Sequence, residues 1–132
     1  MDRVLFLRGS SDVSSQILEI GAGYNPVAPK RGGWRTHVVD HASRDDLCVK
    51  YAAAPGVDIG LIEEVDTIWQ GGPLQEAVPA DLVGAVDTII ASHVLEHFPD
   101  LIGFFQSAER LARNAGLLSV AFPDRRYCFD CL

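Results

Sequence analysis

One stretch, QILEIGAGYNP at residues 16–26, constrains the fold of this chain more than any other. It opens with an apolar run that only Glu19 interrupts, and it then turns at Gly21 and Gly23. A continuous apolar run is typical of a buried strand in a parallel sheet, and glycine lets the backbone turn tightly and lie close to a ligand. Open α/β sheets bind their ligands at the carboxyl ends of the strands. The stretch therefore predicts a strand that ends at a ligand site, with Glu19 at its edge.

The second predicted strand, residues 36–39, ends at Asp40, 19 positions after Gly21. A carboxylate at about this distance from a glycine turn is placed to accept hydrogen bonds from ribose hydroxyls. A dinucleotide site also needs a third glycine and a helix N-terminus that receives the pyrophosphate. Here Asn25 takes the place of that glycine, and the prolines at positions 26 and 29 leave little room for a helix. The pattern indicates a ligand that has a ribose and lacks phosphate.

The rest of the chain alternates helices and strands. Ser43 is a predicted helix N-cap, and apolar residues at helical spacing follow it up to Pro55. Asp100 is the predicted N-cap of another helix, whose apolar stripe we assign to the core. Residues 1–15 form either an added strand or a docking tail, and both interpretations stay open. Further strands are expected at residues 61–65, 84–91 and 117–122.

Four segments resemble the class I S-adenosylmethionine-dependent methyltransferases, and in particular their small-molecule "type 11" branch. Residues 18–23 are similar to motif I of that family, and residues 38–40 to its acidic second strand end. Residues 87–98 resemble the fourth strand of the branch and the segment after it. Residues 111–122 occupy the place of its next helix, turn and fifth strand. These motifs follow one another in the order that the family shows.

The resemblance covers about residues 16–127 and departs from the family in two places. Asn114-Ala115-Gly116 stands where the branch has a Pro-Gly-Gly turn. The sequence also ends where the family continues into its sixth and seventh strands, so we expect a chain truncated after the fifth strand.

The resemblance implies an α/β fold and a function. The expected fold is a Rossmann-like parallel sheet with strand order 3-2-1-4-5 and helices on both faces, in which the sixth and seventh strands are missing. Residues 1–15 would be an N-terminal extension and residues 16–132 an S-adenosylmethionine-binding methyltransferase domain. The expected activity is methyl transfer from S-adenosylmethionine to a small-molecule acceptor. Two alternatives stay open: a non-catalytic or truncated cofactor-binding module, and an NAD-dependent oxidoreductase.

The resemblance also implies which residues bind the cofactor. Asp40 is expected to hold the ribose, and His41 or Ile68 to flank the adenine. Asp66 either contacts the adenine amino group or is a solvated loop carboxylate. His93 is the candidate catalytic base, because histidine exchanges protons near neutral pH. The alternative for His93 is a hydrogen bond to the backbone or cofactor. The full predicted set is Glu19, Gly21, Ala22, Gly23, Asp40, His41, Asp66, Ser92 and His93.

Composition narrows the partners. The 132 residues are enough for one domain with a core, and the net charge of −7 argues against a nucleic-acid or anionic-membrane surface. No apolar run is long enough for a membrane span or a signal-peptide core, so a cytoplasmic location is expected. We expect no metal: Cys128 and Cys131 lack a second ligand pair, and His93 and His97 lack a further ligand. An exposed fifth strand would invite a homodimer through that edge.

Overall fold

The computed structural model describes residues 1–124 and residue 126, and its first element is a helix. Helix α1 spans Arg3–Arg8, and the Asp2 side chain caps it by accepting hydrogen bonds from the N–H groups of Val4 and Leu5. Leu7 is fully buried in a cluster that lies on the central strands. The N-terminal segment is therefore a helix that packs on the sheet, neither a strand nor a tail.

The core is a single sheet of five parallel strands in the order β3-β2-β1-β4-β5, as predicted. The central strand β1 is almost entirely buried, as its apolar run indicates. The strands are β1 (Gln16–Ile20), β2 (Arg35–Asp40), β3 (Thr67–Ile68), β4 (Val86–Ser92) and β5 (Ala112–Ala121).

Three further helices connect the strands: α2 (Arg44–Tyr51), α3 (Leu74–Ala77) and α4 (Leu101–Leu111). Both predicted caps are confirmed, because the Ser43 side chain accepts from the N–H of Asp46 and the Asp100 side chain from that of Gly103. In the part of the chain that the structure describes, no helix has the length and apolar character needed to cross a bilayer. Short 3-10 turns lie at Lys30–Gly32, Ile59–Leu61, Ala80–Leu82 and Leu95–His97.

Helices cover both faces of the sheet, as expected. Residues Ile17 and Ile90 of the central strands pack with Leu7 of α1 on one face. The alternate residues of the same strands, Leu18 and Ile89 among them, pack with α3 and α4 on the other face. This division follows from strand geometry, because successive side chains point to opposite sides.

The third strand is two residues long and begins at Thr67, so the predicted strand at 61–65 is wrong. The start of this segment belongs to the 3-10 turn at Ile59–Leu61, and two carboxylates in or just after the segment bond to backbone N–H groups elsewhere. The Glu63 carboxylate accepts from the N–H groups of Lys30 and Arg31, at 2.8 and 3.1 Å. The Asp66 carboxylate accepts from the N–H of Val38 at 2.8 Å. Such side-chain bonds compete with strand pairing.

The fifth strand is the edge of the sheet and contains a bulge. Ala112 pairs with Val86 and Leu117 with Thr88, so the four residues 113–116 of β5 lie opposite the single residue Asp87 of β4. Ala115 has a φ of 63° there, and Arg113 forms an ion pair with Asp87. The predicted turn at Asn114-Ala115-Gly116 is thus a bulge inside a longer strand.

The buried face of α4 is narrower than predicted. Phe105, which lies at helical spacing in the apolar stripe, is 43% exposed.

Candidate functional site

A cavity of about 220 Å³ lies where β1, β2 and β4 end, at the point where the strand order reverses. It brings together five of the nine residues predicted for the cofactor site. These are Gly21, Gly23, Asp40, His41 and His93. The other four, Glu19, Ala22, Asp66 and Ser92, do not line it.

The floor of the cavity is the glycine bend that follows β1. Gly21 and Gly23 have φ values of +67° and +49°, a left-handed conformation that favours glycine. The N–H of Gly21 donates to the carbonyl of Val39 at 2.8 Å, which carries the backbone from β1 towards β2. A Cβ on Gly21 would lie 2.9 Å from Cγ2 of Val94, whereas a Cβ on Gly23 would meet nothing within 4 Å. The bend therefore keeps bare backbone beside open space at Gly23.

This difference predicts unequal costs for alanine at the two glycines. Gly21→Ala adds both a strained φ and a collision with Val94, so we expect it to lower the free energy of unfolding by about 2–4 kcal/mol. Gly23→Ala adds only the strain, about 1–2 kcal/mol. Urea unfolding of both variants measures the difference. Equal losses would show that the Val94 contact does not restrict Gly21.

Asp40 has the properties that a ribose-binding carboxylate needs. It is only 6% exposed, yet it lines the cavity. Its Oδ1 accepts from the backbone N–H of His41 and lies 2.8 Å from Nδ1 of the same histidine. Its Oδ2 accepts from the N–H of Gly23 at 3.3 Å, which is long for such a bond. A carboxylate oxygen has about two acceptor positions, so Oδ2 retains capacity for hydroxyl donors.

His93 enters the cavity directly after β4. Its φ is 54°, which is uncommon for a residue with a side chain, and its N–H donates to the carbonyl of Ala121 at 2.8 Å. Strained backbone of this kind is concentrated at functional sites. His97 also lines the cavity, with its Nε2 3.9 Å from Glu96 Oε1. Among the described residues, no three His, Cys, Asp or Glu side chains are grouped as metal ligands.

Aromatic and aliphatic side chains complete the walls. Trp69 and Phe98 meet edge to face with ring centroids 5.2 Å apart, and the Trp69 indole N–H donates to the carbonyl of Gly72 at 3.1 Å. Helix α2 contributes Lys50 and Tyr51, which the sequence analysis did not place in the site. The apolar face of α2 was visible in the sequence, but nothing there showed that its end reaches the cavity.

Glu19, predicted as a cofactor-binding residue, does not line the cavity. Its side chain is 2% exposed, and its two oxygens accept from the N–H groups of Val27 and Ala28 at 2.6 and 3.0 Å. Burial raises the pKa of the Glu19 carboxyl above its usual value, outweighing those two hydrogen bonds, which lower it. Glu19 thus fixes the loop after the glycine bend from below. Strand alternation explains this, because Glu19 shares a face with Ile17 and Ile90, away from the cavity.

The remaining three residues also lie outside the cavity lining. Asp66 precedes β3 instead of ending it, and it forms an ion pair with Lys30 at 2.5 Å in a separate groove. Ser92 accepts a hydrogen bond from Arg3 of α1 at 2.8 Å. Ala22 is 9% exposed within the bend. Cys48 is a free thiol, and the predictions for Cys128 and Cys131 concern positions outside the described residues.

Solved structures with a similar fold have low sequence identity to this chain. One is a putative sarcosine dimethylglycine methyltransferase from Galdieria sulphuraria, with 19% identity and a TM-score of 0.50 over 80% of this chain and 38% of that one. Another is the trans-methyltransferase CalH in complex with SAH, with 22% identity and a TM-score of 0.49 over 80% and 31%. A third is a putative Zn-dependent alcohol dehydrogenase from Rhodobacter sphaeroides, with 18% identity and a TM-score of 0.49 over 88% and 43%.

The chain therefore spans between about a third and two fifths of the length of these solved structures. No curated protein matches its sequence. The model of a family described as a methyltransferase domain matches residues 1–128, which is nearly the whole chain, and the chain belongs to that family.

Proposed function

We propose that this chain forms the S-adenosylmethionine-binding part of a methyltransferase that acts on a small molecule. The observation that carries the proposal is the buried Asp40 carboxylate, whose Oδ2 retains acceptor capacity beside the bare Gly21–Gly23 bend. An adenosine needs such an acceptor for its ribose hydroxyls, and backbone without a Cβ lets it approach closely. Trp69 and Phe98 offer an apolar wall against which the adenine ring can pack. These residues suit the cofactor.

The cofactor supplies a methyl group that is already reactive, because it is attached to a positively charged sulfur. The residues of the chain would then align the reacting groups and exclude water. Where the acceptor must lose a proton, we propose His93 as the base, since it lies in the cavity and on strained backbone. His41, held by Asp40, is proposed to lie beside the adenine.

The cavity is smaller than the proposed cofactor requires. Sites for drug-sized ligands usually measure about 300–1,000 Å³, and this cavity measures about 220 Å³. A cofactor made of a nucleoside and an amino acid must therefore widen the cavity or extend beyond it. The spacing of the cavity walls becomes important for binding.

Calorimetric titration tests the proposed cofactor. We expect S-adenosylhomocysteine to bind the folded chain at one site and NAD to give no binding heat, because no helix N-terminus or phosphate-binding loop follows the glycine bend in the described structure. Binding of NAD alone would replace the proposal with a nicotinamide-dependent oxidoreductase. A cofactor-binding module without activity would bind S-adenosylhomocysteine but transfer no methyl group.

We also propose that the open edge of β5 pairs with a second copy of the chain. In the described sheet β5 has β4 on one side only. Leu117 of β5 is 42% exposed, and Phe122, which follows the strand, is 53% exposed. An apolar edge strand of this kind favours pairing with another chain. The wild-type chain should elute as a dimer in size-exclusion chromatography with light scattering. Leu117→Lys should give a monomer, because a charge on the edge opposes pairing.

Val49→Lys is the matched control for the dimer, since Val49 is 79% exposed on α2 and lies outside the sheet. This variant should remain dimeric. A monomeric wild-type chain would refute pairing through β5. A cytoplasmic location and the absence of nucleic-acid partners stay predictions from the sequence.

A further inference from the structure

We propose that Arg3 is a positioning residue of the cofactor site, which sets the spacing of the two cavity walls without lining the cavity. The inference rests on the proposed function, because it concerns how that site is held ready for its cofactor. One wall is the glycine bend after β1, and the other is the segment that begins at His93, directly after Ser92 ends β4. The two walls belong to neighbouring strands that separate at this point.

The two walls diverge beyond the last β1–β4 strand pair. The β1–β4 register ends where Ile20 pairs with Ala91. Further on, the N–H of Gly21 donates to Val39 of β2, and that of His93 donates to Ala121 of β5. Side-chain contacts between the walls, such as the packing of Val94 on Gly21, therefore contribute to their spacing.

Arg3 joins the two walls with its guanidinium group. Nη1 donates to Oγ of Ser92 at 2.8 Å, and Nη2 donates to the carbonyl of Asn25, in the loop after the glycine bend, at 3.3 Å. The donors of a guanidinium group have a fixed planar arrangement, so bonding to both partners at once fixes their separation. Both acceptors, a hydroxyl and a backbone carbonyl, are neutral oxygens. Arg3 therefore acts here as a hydrogen-bond donor to both walls and not as the partner of a carboxylate.

Helix α1 is anchored well enough to hold Arg3 in place. Leu7 is fully buried beneath it. The Arg8 Nε donates to the carbonyl of Val27 at 2.8 Å, and its guanidinium lies 4.6 Å from the centre of the Trp34 ring. The Val27 N–H in turn donates to Glu19. The loop that follows the bend is thus tied to the helix at Arg3 and Arg8 and to the strand at Glu19.

This arrangement predicts how Arg3 acts on binding. Without its two bonds, the walls sample wider separations, and only a fraction of molecules has the spacing that the cofactor needs. The apparent affinity falls in proportion to that fraction. The substitution of Arg3 thus changes the fraction of molecules whose site is ready to bind. It leaves the contacts between the bound cofactor and the site unchanged.

The experiment compares Arg3→Ala with Arg31→Ala. Arg31 is a matched control because its Nη1 also donates to a backbone carbonyl, that of Leu61 at 3.0 Å, outside the cavity. We expect Arg3→Ala to weaken S-adenosylhomocysteine binding by about 3- to 10-fold in calorimetry, the loss of one or two such bonds, and Arg31→Ala to leave it within about 2-fold. Arg3→Lys should recover only part of the loss, since one ammonium group lacks the fork.

Hydrogen exchange of the chain without ligand separates positioning from a general loss of stability. Arg3→Ala should speed amide exchange at residues 21–28 and 92–94, whereas the midpoint of urea unfolding changes little. Exchange that rises uniformly across the sheet, or affinity equal to that of the wild type, would overturn the inference. If wild-type chain binds no S-adenosylhomocysteine, the proposed cofactor is wrong. The exchange measurement still decides the role of Arg3, and unchanged exchange at both walls would refute it.

Discussion

Replacing Glu19 with alanine is expected to lower the free energy of unfolding by about 2–5 kcal/mol, because two buried backbone N–H groups lose their acceptors. Those groups belong to Val27 and Ala28, both with 0% exposure, so water cannot replace the carboxylate. The substitution also leaves a void beneath the loop. We expect it to be the most destabilising single change in the site, and urea unfolding measures it.

Glu19→Gln is the control for this prediction. It nearly preserves volume but replaces one acceptor with an NH₂ group that faces another donor. We therefore expect a smaller loss, about 1–3 kcal/mol. Should Glu19→Ala unfold at the same urea concentration as the wild type, the two N–H groups have other partners and the proposed support of the loop is wrong.

The buried Glu19 carboxyl also gives stability a pH dependence. Because burial raises its pKa in the folded state, the folded chain binds this proton more tightly than the unfolded chain does. Its contribution is fully present below the unfolded pKa and is lost as the pH rises through the raised folded pKa. The wild-type free energy of unfolding minus that of Glu19→Gln should therefore fall over this range. A difference that rises with pH would contradict the raised pKa.

Replacing Asp40 with alanine is expected to weaken S-adenosylhomocysteine binding by about 1–3 kcal/mol, roughly 5- to 150-fold, because ribose hydroxyls lose their acceptor in a buried place. The substitution also frees the Gly23 N–H and the His41 backbone and ring, so part of the loss comes from a looser bend. Asp40→Asn keeps one acceptor oxygen and should lose less. Calorimetry on the three proteins gives the order.

Asp66→Ala is the matched control for Asp40. Asp66 also accepts a backbone N–H from the β2 region, that of Val38, but it lies in the separate groove with Lys30. We expect the folded Asp66→Ala variant to bind S-adenosylhomocysteine within about 2-fold of the wild type. Unchanged affinity in Asp40→Ala would remove Asp40 from the site. A large loss in Asp66→Ala would support the prediction that Asp66 contacts the adenine amino group.

The family resemblance implies the strand order correctly, and the glycine bend follows from a local pattern in the sequence. The apolar run before Gly21 and the carboxylate at Asp40 each describe their own surroundings. The sequence did not show that the Glu19 carboxylate bonds to the loop after the bend, because proximity to a strand end does not tell which face a side chain takes. The prediction was wrong for the third strand, where long-range bonds such as that of Asp66 to Val38 decide the pairing.

The residues from outside the motifs were the hardest to predict. Lys50 and Tyr51 line the cavity because the end of α2 lies beside Asp40 and His41, and no local pattern shows this. Arg3 lies 89 positions from Ser92, and its role depends on the docking of α1. Residue type and spacing carry no signal for contacts at such separations.

The docking of Leu7 has a practical consequence for anyone who expresses this domain. A shortened version that starts at Gln16, the boundary that motif spacing suggests, would expose the apolar side chains of Ile17 and Ile90 to water. Such a protein would tend to aggregate during purification, whereas α1 keeps this apolar surface buried.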